Sequence, residues 1–137
     1  YRPEIEMSDM KKVVQMHIEE PELSLDPNSQ RNLVNSLVKN AFHTNSNDRT
    51  VELMLATHSP YILNHLNVLL RASYTEKGRN SLPYIKPENI IVYKMIEGGI
   101  INLMATDEET QEDVINTLDL SEVIENIYND YVTLGEE

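Results

Sequence analysis

The stretch VVQMHIEEPELSLDP (residues 13–27) places a strand, an acidic loop and the start of a helix in direct succession. Val13 to Ile18 is short, apolar and soon followed by a proline, which is typical of a β-strand. Asp26 can accept the free amides of a first helical turn, and Pro27 fits the first helical position because its missing N–H would have no partner there. The stretch therefore predicts a strand–loop–helix unit, from which α/β proteins are built.

The same succession occurs again further along the chain. Val51 to Thr57 is almost continuously apolar, which is typical of a strand covered on both faces. Ser59 and Pro60 repeat the pattern of an N-cap followed by a proline. Both predicted helices carry apolar residues three and four positions apart, so each has one apolar face. These residues are Leu33, Leu37 and Ala41 beside Val34, Val38 and Phe42 in the first helix, and Ile62, Leu63, Leu66, Leu69 and Leu70 in the second.

The remainder of the chain predicts smaller elements. NIIVYKMIEGGIINLM (89–104) is typical of a hairpin, in which Gly98 and Gly99 supply the positive φ of a tight turn. TEKGRNSLP (75–83) predicts a loop, and TDEETQED (106–113) a solvated connection or a helix start. A final helix is expected from about Leu120 to Val132, with Ser121 near its start. We expect residues 1–137 to form a single α/β domain with a central parallel strand pair, flanking helices, a β-hairpin and a C-terminal helix.

Composition excludes several classes of function. The chain has no cysteine, which excludes disulfides and thiolate metal sites and fits a reducing, cytoplasmic location. No apolar stretch approaches the roughly 18 residues of a membrane span, so no membrane association is expected. A net charge of −12 repels phosphate backbones, and we expect no direct nucleic-acid binding by this chain.

Polar residues follow both predicted strands, at the edge where open α/β sheets bind ligands. Glu19 and Glu20 face opposite sides if the strand continues to them, which favours different tasks: one carboxylate near a magnesium ion and the other near an attacking water. Glu20 precedes Pro21, so an extended backbone is expected there. An ordinary exposed loop is an equally good interpretation of these acids alone. His58 follows the second strand, where an imidazole can contact phosphate or orient water, or simply end a strand.

Taken together, the motifs resemble a known family. IEEPELSLDP (18–27) followed by Gln30, then LATHSP (55–60), resembles the second half of an ABC-type ATPase head, with the OLD-like and SMC-like AAA ATPases as the most similar group. The hairpin after the histidine also resembles the one that follows the switch histidine in such heads. The resemblance covers about residues 13–104 and depends on several motifs in the right order.

The resemblance implies a role for each matching residue. Glu19 matches the Walker B acid that helps to hold Mg²⁺, and Glu20 matches the glutamate that polarises the attacking water. Leu25 and Asp26 match the D-loop, which in the family reaches the partner head, so Asp26 is expected to contact nucleotide. His58 matches the switch histidine on the γ-phosphate. The implied substrate is Mg-ATP, although the residues by themselves do not distinguish adenine from guanine.

One half of the family pattern has no counterpart in this sequence. The glycines are Gly78, Gly98, Gly99 and Gly135, and none opens the G-x-x-x-x-G-K-[ST] motif that cradles phosphates. The Ser-Gly signature and the adenine-stacking region have no match either. We therefore expect a partial domain, the C-terminal half of a head, whose P-loop lies upstream in a longer protein or on another chain. The uncovered sheet edge would then favour self-association or a head-to-head dimer.

Two other functions remain open. The chain could be a non-catalytic interaction module that retains an ATPase-like fold, an alternative that the missing P-loop favours. A metal-dependent nuclease using Glu19, Glu20 and Glu22 ranks lower, because the surface is acidic and no TOPRIM-like acidic cluster follows the hairpin.

Overall fold

The computed structural model describes residues 12–44 and 49–136, and at 119–121 the backbone alone. The strands are β1 Lys12–Glu19, β2 Arg49–Ala56, β3 Tyr93–Ile96, β4 Gly99–Asn102, β5 Met104–Thr106 and β6 Asp113–Ile115; the helices are α1 Pro27–Phe42, α2 Pro60–Ala72, α3 Glu76–Ser81 and α4 Leu118–Leu134. This succession confirms a mixed α/β chain with strand and helix alternating in its first half.

β1 and β2 form a two-stranded parallel sheet, which confirms the predicted parallel pair. Their register runs from Lys12 beside Arg49 to Glu19 beside Ala56, so both strands end at the same edge. The amide of Glu20 adds one more rung by donating to the Ala56 carbonyl at 2.7 Å. The residues that follow the two strands are therefore brought to a single edge of the sheet.

The expectation that β2 would be covered on both faces is wrong for the described part of the chain. Val13, Val14 and Met16 of β1 and Met54 of β2 are all exposed. The buried apolar cluster lies elsewhere and takes no residue from either strand: Val34, Val38, Ile62, Leu66, Leu69, Leu70, Ile85 and Ile115. The helices bury their apolar faces mainly against each other and the segments that follow, and the sheet is left open.

Capping explains where the two long helices begin. Asp26 accepts the Ser29 N–H at 3.0 Å and Ser59 accepts the Ile62 N–H at 3.3 Å, with proline next in both sequences, as predicted. The predicted apolar face of α2 is buried or half-buried throughout. On the predicted apolar face of α1 only Val34 and Val38 are buried, and Phe42, at the end of that face, is exposed.

A polar contact joins the two helices inside this packing. The Arg31 Nε–H of α1 donates to Nδ1 of the buried His65 of α2 at 3.2 Å, and Nε2 of the same ring lies 2.7 Å from Oδ1 of Asn35. Because Nδ1 accepts, Nε2 carries the proton and donates to Asn35. Burial lowers the pKa of His65, and the Arg31 charge lowers it further, so the ring is neutral at physiological pH.

The hairpin after the helices is confirmed, with one correction. β3 and β4 pair antiparallel from Tyr93–Asn102 to Ile96–Gly99, so Glu97 and Gly98 form the turn. Gly98 has φ +83°, as predicted, but Gly99 is a strand residue without positive φ. The turn needs one left-handed residue at its second position, as in a type II turn, and not two.

The acidic segment 106–113 confirms the predicted solvated connection and is not a helix start: residues 107–112 connect β5 to β6, and Thr106 and Asp113 belong to the strands. Asp107 accepts the N–H groups of Glu109 and Thr110, both at 2.9 Å, which closes the turn.

The side-chain amide of Asn67 in α2 pairs with both backbone groups of Ile115, donating at 2.9 Å and accepting at 2.8 Å. This contact between distant residues holds β6 against α2.

The segment expected as a loop after α2 contains the short helix α3. Thr75 caps it by accepting the Gly78 N–H at 3.0 Å. Gly78 lies so close to the end of α2 that a Cβ there would stand 2.5 Å from both Cα and O of Ala72. The chain turns sharply at this point because glycine has no side chain.

The C-terminal helix is confirmed and is longer than expected at both ends. It runs over Leu118–Leu134 against a predicted span of about Leu120 to Val132, and the side chain of Ser121 lies outside the described residues. Every described side chain of α4 is exposed. No helix among the described residues is long and apolar enough to span a membrane.

Candidate functional site

The site begins with two side chains at the shared C-terminal edge of β1 and β2. Oε1 of Glu20 and Nε2 of His58 lie 3.9 Å apart. The His58 side chain is 90% exposed and that of Glu20 is 51% exposed, so both are open to solvent and to a ligand. The structure thus brings together two of the residues that the sequence singled out, from the ends of separate strands.

The backbone of Glu20 differs from the extended conformation expected before Pro21. Its φ is +47°, in the left-handed region that costs a residue with a side chain about 1–2 kcal/mol. Two contacts hold it there: its N–H donates to Ala56, and its carbonyl accepts the Leu23 N–H at 3.1 Å. These tertiary and turn contacts outweigh the local preference, and the reversal starts at the residue whose carboxylate faces His58.

Glu22, which the sequence indicated only for the nuclease alternative, makes a definite contact with the turn after β2. Its Oε1 accepts the backbone N–H of His58 at 2.9 Å, which joins the acidic loop to the turn after β2. Its Oε2 is buried and has no hydrogen-bond partner among the described residues. The sequence pointed to Glu22 only through its place in the acidic stretch 19–22. Its contact with the His58 amide depends on the fold and could not be predicted from neighbouring residues.

The charge state of Glu22 follows from these contacts. Burial alone raises the pKa of its carboxyl, but the His58 N–H, its own amide, the nearby Thr57 hydroxyl and the His58 ring all favour the charged form. The net result is a pKa below the usual 4.5. Glu22 is therefore an anion at neutral pH and a strong acceptor for the amide that orients His58.

Asp26, the predicted nucleotide contact, serves as the N-cap of α1. Oδ1 accepts the Ser29 N–H and Oδ2 accepts the Ser29 hydroxyl at 2.7 Å. These bonds lower the pKa of Asp26, mainly through the backbone N–H of Ser29. The capping role is thus established, and the nucleotide contact stays a prediction.

A buried pair of side chains fastens the start of α1 to the same edge. The Ser59 hydroxyl donates to Oε1 of Gln30, and both residues are buried. Gln30 Nε2 in turn donates to the carbonyl of Leu25 at 3.0 Å. Gln30 therefore holds the Leu25–Asp26 loop against the turn that carries His58. In the sequence Gln30 belongs to the motif that resembles the family, but no role was predicted for it.

The carboxylates at this edge are compatible with magnesium but do not enclose it. Glu19 ends β1 as an exposed side chain beside Glu20. No group of three or more His, Asp or Glu side chains among the described residues is arranged to hold a metal ion. Magnesium commonly takes only one or two carboxylates and completes its shell with phosphate oxygens and water. The donor set therefore fits an ion that arrives with a phosphate ligand.

No protein-family model, curated protein or solved structure matches this chain.

Proposed function

We propose that this chain supplies the Walker B, D-loop and switch-histidine part of a Mg-ATP hydrolysing site, completed by a P-loop from elsewhere. The observation that carries the proposal is the Glu20–His58 pair, 3.9 Å apart at the C-terminal edge of a parallel strand pair. Such edges are where open α/β sheets bind ligands. By position, Glu20 and His58 also match the catalytic glutamate and the switch histidine of the family that the motifs resemble.

Each side chain has a distinct task in the proposed site. Glu20 accepts a proton from the water that attacks the γ-phosphate, and His58 contacts the phosphate and orients that water. Glu22 holds the His58 backbone and so sets the position of the ring. Glu19 is the residue that would bind Mg²⁺, which when bound neutralises charge on the phosphates.

The open sheet supports completion by another segment. A lone pair of parallel strands is a poor independent unit, and β1 and β2 expose apolar side chains on a sheet that lacks further strands in the described part of the chain. Further strands carrying a P-loop would extend this sheet, and the helices that connect such strands would cover the side chains on its faces. The phosphate-binding amides would then lie at the edge that already carries Glu20 and His58.

The test is ATP turnover by the natural polypeptide that contains this chain, or by this chain reconstituted with its P-loop half. Glu20→Gln keeps the shape but removes the base, so turnover should fall at least a hundredfold while ATP binding persists. Glu97→Gln, at the tip of the β3–β4 turn, removes the same charge away from the site and should leave turnover unchanged. Unchanged turnover in Glu20→Gln would refute the proposed role.

The alternative is a non-catalytic interaction module, and one observation favours it. The exposed apolar side chains of β1 and β2 offer a docking surface that requires no nucleotide. In that case the natural polypeptide would bind its partner equally well with and without Mg-ATP. Glu20→Gln would then change neither partner binding nor any turnover.

A further inference from the structure

We propose that the contact between α1 and α2 is an acid-sensitive joint, which is stable while the His65 ring is neutral and destabilised when the ring takes up a proton. The joint consists of His65 on α2 and of Arg31 and Asn35 on α1. It takes no part in the chemistry proposed for Glu20 and His58, so it does not depend on that proposal.

The His65 ring lies inside the packing of the two helices. The residue is only 3% exposed. Val34 and Leu66, the sequence neighbours of Asn35 and His65, belong to the buried apolar cluster. Because water has little access to the ring, this position disfavours a charged imidazole over a neutral one.

Both ring nitrogens form hydrogen bonds that fit the neutral ring. Nδ1 accepts the Arg31 Nε–H at 3.2 Å, and Nε2 donates to Oδ1 of Asn35 at 2.7 Å. A proton added at Nδ1 would turn this acceptor into a donor that faces the Arg31 donor. The bond to Arg31 is then lost, and a buried N–H group without its acceptor destabilises the packing around it.

Charge adds to this conflict, because the protonated ring would lie beside a guanidinium that stays charged. Burial lowers the pKa of His65, and Arg31 is the charged group that lowers it further. In the described part of the chain no carboxylate pairs with the ring to offset a positive charge. The other ionisable side chains described on these two helices, and on the elements packed against α2, form no hydrogen bond or ion pair with it: Asp26, Lys39, His43, Tyr61, Arg71, Glu76, Lys77, Arg79 and Asp113.

Separation of the joint would also affect the start of α1. Gln30, which directly precedes Arg31, donates to the Leu25 carbonyl and accepts the Ser59 hydroxyl. One turn of α1 therefore carries both the joint and the contact that fastens this helix to the edge of the sheet. Acid should loosen that contact together with the joint.

The first test is urea unfolding of the full chain from about pH 7.5 to about pH 5. The unfolded chain takes up the proton near the usual histidine pKa of 6.5, and the folded chain only at lower pH. The stabilisation is thus complete above pH 6.5, and the unfolding constant should rise by up to about tenfold per pH unit as the pH falls below it.

Two matched variants assign this dependence to the joint. His65→Gln keeps an acceptor for Arg31 and a donor for Asn35 but cannot titrate, so its unfolding constant should lose most of the rise. His17→Gln removes an exposed histidine of β1 and should keep the rise of the wild type. A wild type without the rise, or a rise that persists in His65→Gln, would refute the proposal.

A further variant and a direct measurement do not depend on a buried substitution. Arg31 is exposed, and Arg31→Gln replaces its charge with a neutral donor, so the rise should weaken. Nuclear magnetic resonance of the wild-type ring should find the proton on Nε2 at neutral pH and a titration below pH 6.5, accompanied by shifts of the Asn35 and Gln30 side-chain amides. A proton on Nδ1, a titration at or above pH 6.5, or an unchanged rise in Arg31→Gln would overturn the proposal.

Discussion

Glu20 combines a strained backbone with an exposed, chemically competent side chain. The left-handed conformation at φ +47° is one that glycine adopts without cost, yet the position carries a glutamate. Residues in this region are held by surrounding contacts and concentrate at functional sites. Ser24 and Gln111 also have positive φ, at 64° and 58°, so the conformation by itself assigns no function; at Glu20 it sets the direction of the carboxylate that is proposed as the base.

Replacing Glu20 by glycine tests that reasoning through stability. Glu20→Gly removes the conformational cost of about 1–2 kcal/mol in the folded state. Glycine also gives the unfolded chain more entropy, which offsets part of that gain, so the free energy of unfolding should rise by up to about 1 kcal/mol. Glu19→Gly, at a regular strand position, should lower it by about 0.5–1 kcal/mol. Urea unfolding of both variants measures the difference. Equal destabilisation by the two glycines would show that Glu20 is not strained.

At the scale of elements, close backbone approach decides how α2 connects to α3. The absent Cβ of Gly78 leaves room for Ala72, and neither the Cα nor the carbonyl there can move without disturbing the end of α2. The segment expected as a loop is a short helix that Thr75 caps. The cap residue and the glycine are visible in the sequence, but their packing against the end of α2 is visible only in the structure.

Gly78→Ala should therefore destabilise the chain by about 1–3 kcal/mol, the usual range for forcing extra volume into a packed site. Gly99→Ala is the matched control, because an added Cβ at Gly99 has nothing within 4 Å and the residue does not have positive φ. Thermal unfolding followed by circular dichroism measures both. If the two alanines have the same effect, the contact with Ala72 does not constrain the turn.

For the whole molecule, the described part has two zones of different character. A buried cluster joins α1, α2 and β6, while β1, β2 and α4 present apolar side chains to water. The candidate site lies where the first zone meets the second, since Glu22 and Gln30 connect the strand ends to the start of α1 and α2. This arrangement gives a firm support on one side of Glu20 and His58 and leaves the other side open.

Stability of the whole chain should depend on pH through this junction. The folded pKa of Glu22 is below its usual 4.5, so the unfolded chain takes up the proton first as the pH falls. The stabilisation from its charge is complete above pH 4.5 and is lost as the pH falls through the lower folded value. Glu22→Gln has no proton to bind, so its free energy of unfolding should fall less steeply below pH 4.5.

Urea unfolding at a series of pH values from 7 downward measures this dependence. Glu97→Gln removes a carboxylate from the hairpin turn and should keep the slope of the wild type. If Glu22→Gln shows the same slope as the wild type, the carboxylate does not hold the His58 amide as an anion.

The sequence alone determined the features that depend on neighbouring residues. Asp26 and Ser59 cap the helices that follow them, Gly98 turns the hairpin, and the apolar spacing of α2 marks its buried face, because each is decided within one or two turns of chain. The parallel pairing of β1 and β2 was also predictable, since an intervening helix returns the chain in the same direction.

Tertiary structure alone decided the contacts between distant segments. No local rule predicts that Glu22 accepts the His58 amide, that Gln30 holds Ser59, or that Asn67 pairs with the backbone of Ile115. Local rules also do not predict that β1 and β2 are exposed, because an apolar strand has the same sequence whether or not a helix or another strand packs against it. Burial and long-range hydrogen bonds depend on which surfaces come into contact in the fold. The sequence of a single strand or helix does not specify which other element it contacts.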